Sequence, residues 1–265
     1  MADQFNENDG LHLHSQYTQP ESSYSEPYQD MEPFYDEPYR STYTVENTST
    51  VSEVLAGSFM YMFIALLITG ITSVITVTSS VLLSAIFSNS ATFFLLLVME
   101  FGIWFAATSA MKHNNIVLSA ILFFAYAVVN GLTLSVIFLA YAASTIEQAF
   151  FATAIMFGVM AFVGKVTKKD LTSIGNILLI GLIAVILASL VNILIGSTVM
   201  DMAITIVAII IFLGLTAYDT QKIQKMAQAN TGYNLAVISL WGAMELYLDF
   251  INLFLRILRL FGRRD

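Results

Sequence analysis

Apolar runs long enough to cross a bilayer recur seven times along this chain, at 54–77, 91–111, 116–140, 149–164, 174–195, 202–218 and 235–255. A spanning helix needs roughly 20 predominantly apolar residues. Polar breaks at 79–90, 112–115, 141–148 and 196–201 are too short to hold a soluble domain. The pattern predicts an all-α integral membrane protein, a seven-helix transmembrane bundle. The Gly/Ala/Ser content of stretches such as 184–189 lets neighbouring helices approach closely, a packing feature of membrane interiors.

The first 50 residues follow a different pattern. All four prolines (Pro20, Pro27, Pro33, Pro38) lie there, and the first 53 positions hold eleven acids against a single base, Arg40, a net charge of −10. So few aliphatic side chains cannot offset the entropy of ordering, which predicts a disordered acidic tail over 1–50 and a transmembrane domain over 51–265. The triplets Glu26-Pro27-Tyr28, Glu32-Pro33-Phe34 and Glu37-Pro38-Tyr39 repeat an acid-Pro-aromatic pattern, read as low-complexity spacer or as a docking motif for membrane-protein partners. His12 and His14 have no further ligand nearby and read as incidental. The start has no basic n-region followed by an apolar core, so the first hydrophobic helix is expected to act as an uncleaved anchor.

Composition narrows the class further. The chain is 57% hydrophobic and 11% charged with a mean hydropathy of +0.74, against roughly 25% charged residues in a soluble domain. The expected surroundings are the lipid bilayer, with no nucleic-acid partner. Without cysteine there is neither a disulfide framework nor a thiolate metal site.

Lysines set the orientation, because bases collect in short cytoplasmic loops. Lys112 follows the second run, Lys165, Lys168 and Lys169 the fourth, and Lys222 and Lys225 the sixth. The N-terminal tail is therefore expected in the cytoplasm. Arg256, Arg259, Arg263 and Arg264 after the seventh run pull the other way, so that run is either re-entrant or crosses against the rule. Its twenty-one residues suffice to cross at about 1.5 Å each.

Four acids fall inside or at the margins of apolar runs: Glu100, Asp219, Glu245 and Asp249. Ionisable groups at membrane depth are costly and normally face a bundle interior or a water cavity. Asp219 ends its run and also reads as an interfacial residue; Asp249 also reads as a structural polar clasp. Glu245, Asp249 and Asn252 share one helix face, which should point inward. Glu100 has no base in its own run and must be protonated or paired across helices. Asn130 and Asn192 are read as interhelical hydrogen-bonding groups without a functional role.

Two stretches, 214–223 (GLTAYDTQKI) and 246–254 (LYLDFINLF), resemble the transmembrane Bax-inhibitor-motif family, and 167–175 (TKKDLTSIG) with 130–135 (NGLTLS) are similar to its bacterial members. The resemblance covers roughly residues 51–262. It implies a seven-helix fold with the last helix central and a pH-sensitive calcium leak through the plasma (inner) membrane. It also implies that Asp219 and Asp249 form a proton-sharing pair, acting as pH sensor, gate and tentative calcium ligands, with Glu100 as an acid of the ion pathway. Glu245 adds an acid where relatives are often uncharged, and Lys112 is the nearest match to a base at the cytoplasmic end of helix two. No cofactor is implied beyond calcium as the transported or bound ion, and the protein is expected to be a monomer and not an enzyme. A non-conducting regulator that binds other membrane proteins, a quality-control protease or stress-response partner, is the alternative. An intramembrane aspartyl protease is more remote: Tyr218-Asp219 fits, but Asp249 lacks a Gly-x-Gly context and no proline follows Pro38.

Overall fold

A computed structural model describes residues 39–229 and 232–262, with side chains from Thr50 onward. The readings placed on residues 1–38, including the triplets and His12 and His14, lie outside the described residues. Nine helices are described: α1 (Tyr39–Thr78), α2 (Ser80–Phe87), α3 (Ser90–Lys112), α4 (Ile116–Leu134), α5 (Ile137–Ala140), α6 (Ala143–Val166), α7 (Thr172–Ile195), α8 (Thr198–Gln228) and α9 (Leu235–Phe261). Seven segments are long and apolar enough to span a membrane, α4 and α5 together forming the third.

Six of the seven spans overrun their apolar runs, and the third coincides with 116–140. Helix α1 starts at Tyr39, upstream of the first apolar run. Pro38 is the last proline, and a helix extends upstream at little cost until it meets one. The polar break at 79–90 holds the short helix α2, capped where the Ser79 hydroxyl accepts from the Leu82 amide at 3.4 Å. Helix α8 continues through Gln228, so Asp219 lies well inside it instead of ending it.

The lysine-bearing connections meet at one end of the bundle. There the Asn234 amide donates to Asn114 Oδ1 at 2.8 Å, and the Gln221 side chain accepts from the Leu171 amide and donates to the Lys169 carbonyl, both at 2.8 Å. Asn114 adopts a left-handed conformation with φ 55°, one of the few that a non-glycine Asn tolerates, which turns the chain between α3 and α4. The start of α9 lies at this same end, beside the start of the first span, since Ser239 Oγ donates to the Val54 carbonyl at 3.2 Å. At the opposite end Arg259 pairs with Asp201 at 2.6 Å, and Gly262 lies against the Tyr141 ring. The seventh run therefore crosses fully and is not re-entrant.

Helix α9 is the centre of the bundle: 78% of its most apolar stretch is buried inside the protein, against 6% for α3 and 11% for α7. It packs on α3, α4, α6 and α8 and hydrogen-bonds to α1. Tyr247, Leu240, Met244, Leu246 and Leu253 are fully enclosed. A helix shielded from lipid by its neighbours is the one that can carry polar side chains at membrane depth.

Candidate functional site

Small residues set the positions of α8. Gly164 of α6 lies directly on the Ala217 backbone, where a Cβ has no space, and Gly175 of α7 lies on the Tyr218 ring. On the other side of α8, Gly242 of α9 admits Ile223 and Ser58. These close approaches bring the helix turn 217–223 against the face of α9 that carries Glu245 and Asp249.

The carboxyl groups of Asp219 and Asp249 meet there within hydrogen-bonding reach. Asp249 is 5% exposed, and its buried Oδ2 receives no hydrogen bond among the described residues. Two carboxylates are acceptors only, so a direct bond between them requires a proton on one of them. One turn earlier on α9, Glu245 Oε1 accepts from Lys222 Nζ at 2.5 Å and from Trp241 Nε1 at 3.1 Å, while Oε2 is buried and unpartnered. The arrangement thus holds three acids, Asp219, Glu245 and Asp249, and one base, Lys222. Asn252, the third polar residue of the face, turns back to the Leu248 carbonyl at 2.8 Å and takes no part.

Glu100 belongs to a separate cluster. It lies beside Asn130 and Thr133 of α4, and its Oε1 is buried without a partner among the described residues. Asn130 Oδ1 accepts from Tyr247 Oη at 3.1 Å, and that hydroxyl lies 2.7 Å from Thr69 Oγ1, which reaches the Ala127 carbonyl at 3.0 Å. Tyr247 and Asp249 are two residues apart on a helix and so face opposite ways. Glu100 therefore reaches α9 on the face away from the aspartates, beside a cavity of about 180 Å³ shared with Phe101, Trp104, Tyr126 and Leu248.

Lys112 is exposed at the end of α3 and makes no ion pair among the described residues, although it borders a cavity of about 270 Å³ with Glu245 and Trp241. The base that meets the acids is Lys222, which the sequence reading used only for orientation. Its place three residues after Asp219, on the same helix face, was the available signal. Among the described residues no three His, Asp or Glu side chains converge on a metal position. Calcium takes six to eight oxygens, so Asp219 and Asp249 supply two carboxylates and not a complete resident site. Outside the spans, Lys225 and Thr172 bond to Asp170 and hold its carboxyl below the usual carboxylate range.

Residues 51–265 match the profile of the family described as Inhibitor of apoptosis-promoting Bax1. The chain belongs to this family. Among similar proteins, the Escherichia coli (strain K12) Inner membrane protein YbhL is 36% identical over 228 residues, covering 85% of this chain and 97% of that protein. An uncharacterized protein of Borreliella burgdorferi is 38% identical over 218 residues, covering 80% and 93%. An uncharacterized membrane protein of Streptococcus pyogenes serotype M1 is 40% identical over 168 residues, covering 63% and 73%. Family membership and the seven spans make the protein a multi-pass membrane protein of the Bax inhibitor type.

Proposed function

We propose that this protein is a pH-sensitive calcium leak channel of the plasma (inner) membrane, gated by the Asp219–Asp249 pair. The observation that carries the reading is the meeting of two carboxyl groups across the α8–α9 interface, one of them, Asp249, buried. With one shared proton the pair forms a charge-assisted hydrogen bond, among the stronger contacts a protein makes, and clasps the two helices. Loss of that proton leaves two facing charges; gain of a second leaves a weaker neutral bond. Either change loosens the interface.

Calcium is the cargo. Glu245 and Glu100, on opposite faces of α9, each keep a buried carboxylate oxygen that no donor satisfies among the described residues, and such oxygens suit weak, separate sites for a hard divalent cation. No catalytic step is part of this function. The lysine-bearing end is placed in the cytoplasm, together with the start of α1, because bases accumulate there. Purified protein in liposomes loaded with a calcium dye tests the reading: flux that depends on pH is expected from the wild type, and no flux above empty liposomes at any pH between 5 and 8 rejects it.

A further inference from the structure

At the end of the bundle away from the lysines, the last turns of α7 and α9 and the first turn of α8 enclose a cavity of about 440 Å³. That lies in the range of small-molecule sites, roughly 300–1,000 Å³. Polar groups line it: Ser189 and Asn192 from α7, Ser197 and Asp201 from the α8 end, and Arg256 and Arg259 from α9. Arg259 is bonded to Asp201 at 2.6 Å. Arg256, half-buried one turn away, has no hydrogen bond or ion pair among the described residues. Among the described residues two guanidiniums face one carboxylate, Asp201, which acts on both, so the lining carries one more positive charge than negative.

Asn192 is the second observation. It is only 9% exposed, and its Oδ1 is taken by the Ser197 amide at 3.2 Å. Its amide nitrogen donates to no atom among the described residues, though the side chain lines the cavity. The first turn of α8, a 31-residue helix, adds amide donors and the positive end of its dipole at the same wall. Gly196, with φ 71°, makes the turn that brings Asn192 and this helix start together. Beside the acceptor oxygens of Asp201 and the Ser and Thr hydroxyls, the cavity thus presents the Arg256 guanidinium and the Asn192 amide as unused donors, which is the chemistry of an anion site.

Depth narrows the anion. Helix α9 has 27 residues, about 40 Å at 1.5 Å each, close to the full thickness of a bilayer with its headgroups. Arg256 stands five residues from its end, roughly 8 Å along the axis, which is headgroup level. We propose that this cavity binds a phosphate-bearing anion, with Arg256 and Asn192 as its principal donors. A guanidinium suits phosphate because its planar fork donates two parallel bonds.

The full chain, purified in a neutral detergent, is to be titrated with phosphatidylglycerol, phosphatidylcholine and inorganic phosphate, with binding followed by native mass spectrometry and thermal melting. The wild type is expected to bind phosphatidylglycerol about tenfold more tightly than phosphatidylcholine and to melt higher with it, as a charge-assisted bond predicts. Arg256→Gln should lose that preference. Ser189→Phe, which fills the cavity from α7 and leaves α9 untouched, should lose it as well, so a folding failure of the arginine variant does not leave the matter open. If inorganic phosphate gives the same melting shift and displaces the lipid, the source is a free phosphate and the site stands. No preference for phosphatidylglycerol together with no effect of phosphate overturns it, as does wild-type binding in both variants.

Discussion

Asp249→Asn replaces the shared proton with a fixed amide donor, so the repulsion between two ionised carboxylates can no longer arise. In the wild type, loss of the proton places two charges at a separation of roughly 3.5 Å, which costs about 5 kcal/mol at an effective dielectric near 20. Asp219 is half-buried, so solvent shares the field. Keeping about half leaves ~2.4 kcal/mol, a shift of about fiftyfold in the balance between clasped and loosened interface. Gain of a second proton turns a charged bond worth ~1.5–3 kcal/mol into a neutral one worth ~0.5–1.5, a difference of ~1–1.5 and about tenfold. Calcium flux in dye-loaded liposomes should therefore vary by about tenfold or more between pH 5 and 8 in the wild type. In Asp249→Asn the alkaline-side rise should vanish, since no second carboxylate is left to repel, and the variation that remains should not exceed about tenfold, from protonation of Asp219 alone. Asp219→Asn should behave alike. Wild-type pH profiles in both variants, with normal melting, would reject the pair as the sensor.

Three further outcomes follow from the same contacts. The chain has no cysteine, so single cysteines report topology directly: one at Lys168 should label only from the cytoplasm and one at Ser88 only from outside, and the reverse pattern would invert the bundle. Tyr247→Phe removes the hydroxyl between Thr69 and Asn130 and should lower stability by about 1–2 kcal/mol, two interhelical bonds at ~0.6–1 each, read as a lower melting temperature in detergent. Asp170→Asn should leave the flux profile between pH 5 and 8 unchanged. Its carboxyl is held below the usual range by Lys225, so it stays ionised across that window and its contribution to stability is lost only in more acid solution.

The spans were legible because membrane helices announce themselves by length and apolarity, and all seven runs became helices. Their ends were less so. Residues such as Thr220, Gln221 and Lys222 look like a loop in sequence, yet Gln221 and Lys222 find partners on the α6–α7 connection and on α9, and α8 continues through them. Asp219 and Asp249 stood out because an acid in an apolar run is conspicuous. Lys222 did not, because a lysine at the end of an apolar run has an ordinary explanation in the positive-inside rule. Asn130 and Asn192 were both set aside as packing groups. For Asn130 the bond to Tyr247 agrees with that, whereas the unused amide of Asn192 came into view only with the cavity around it.

The two polar clusters on α9 differ in kind, and that decides which helices the proposed gate can move. Toward α8, Asp249 meets Asp219 and Glu245 meets Lys222, all groups whose bonding depends on charge. Toward α1 and α4, Tyr247 bonds Thr69 and Asn130, and Thr69 reaches the Ala127 carbonyl, groups that stay neutral in ordinary solution, while the one titratable group beside them, Glu100, makes no hydrogen bond to α9 among the described residues. A change of pH thus weakens one side of the central helix and leaves the other intact. Helix α8 does not stand alone on the weakened side, for Gln221 fastens it to the α6–α7 connection and Gly164 packs α6 on its backbone. The moving body is then α6, α7 and α8 against α1, α4 and α9. Spin labels placed at exposed positions Ile186 on α7 and Val128 on α4 should report a change of distance between pH 5 and 8, with labels at Met60 on α1 and Val128 reporting none. Equal changes in both pairs would mean that α9 is released on both faces, and the neutral cluster would then not be an anchor.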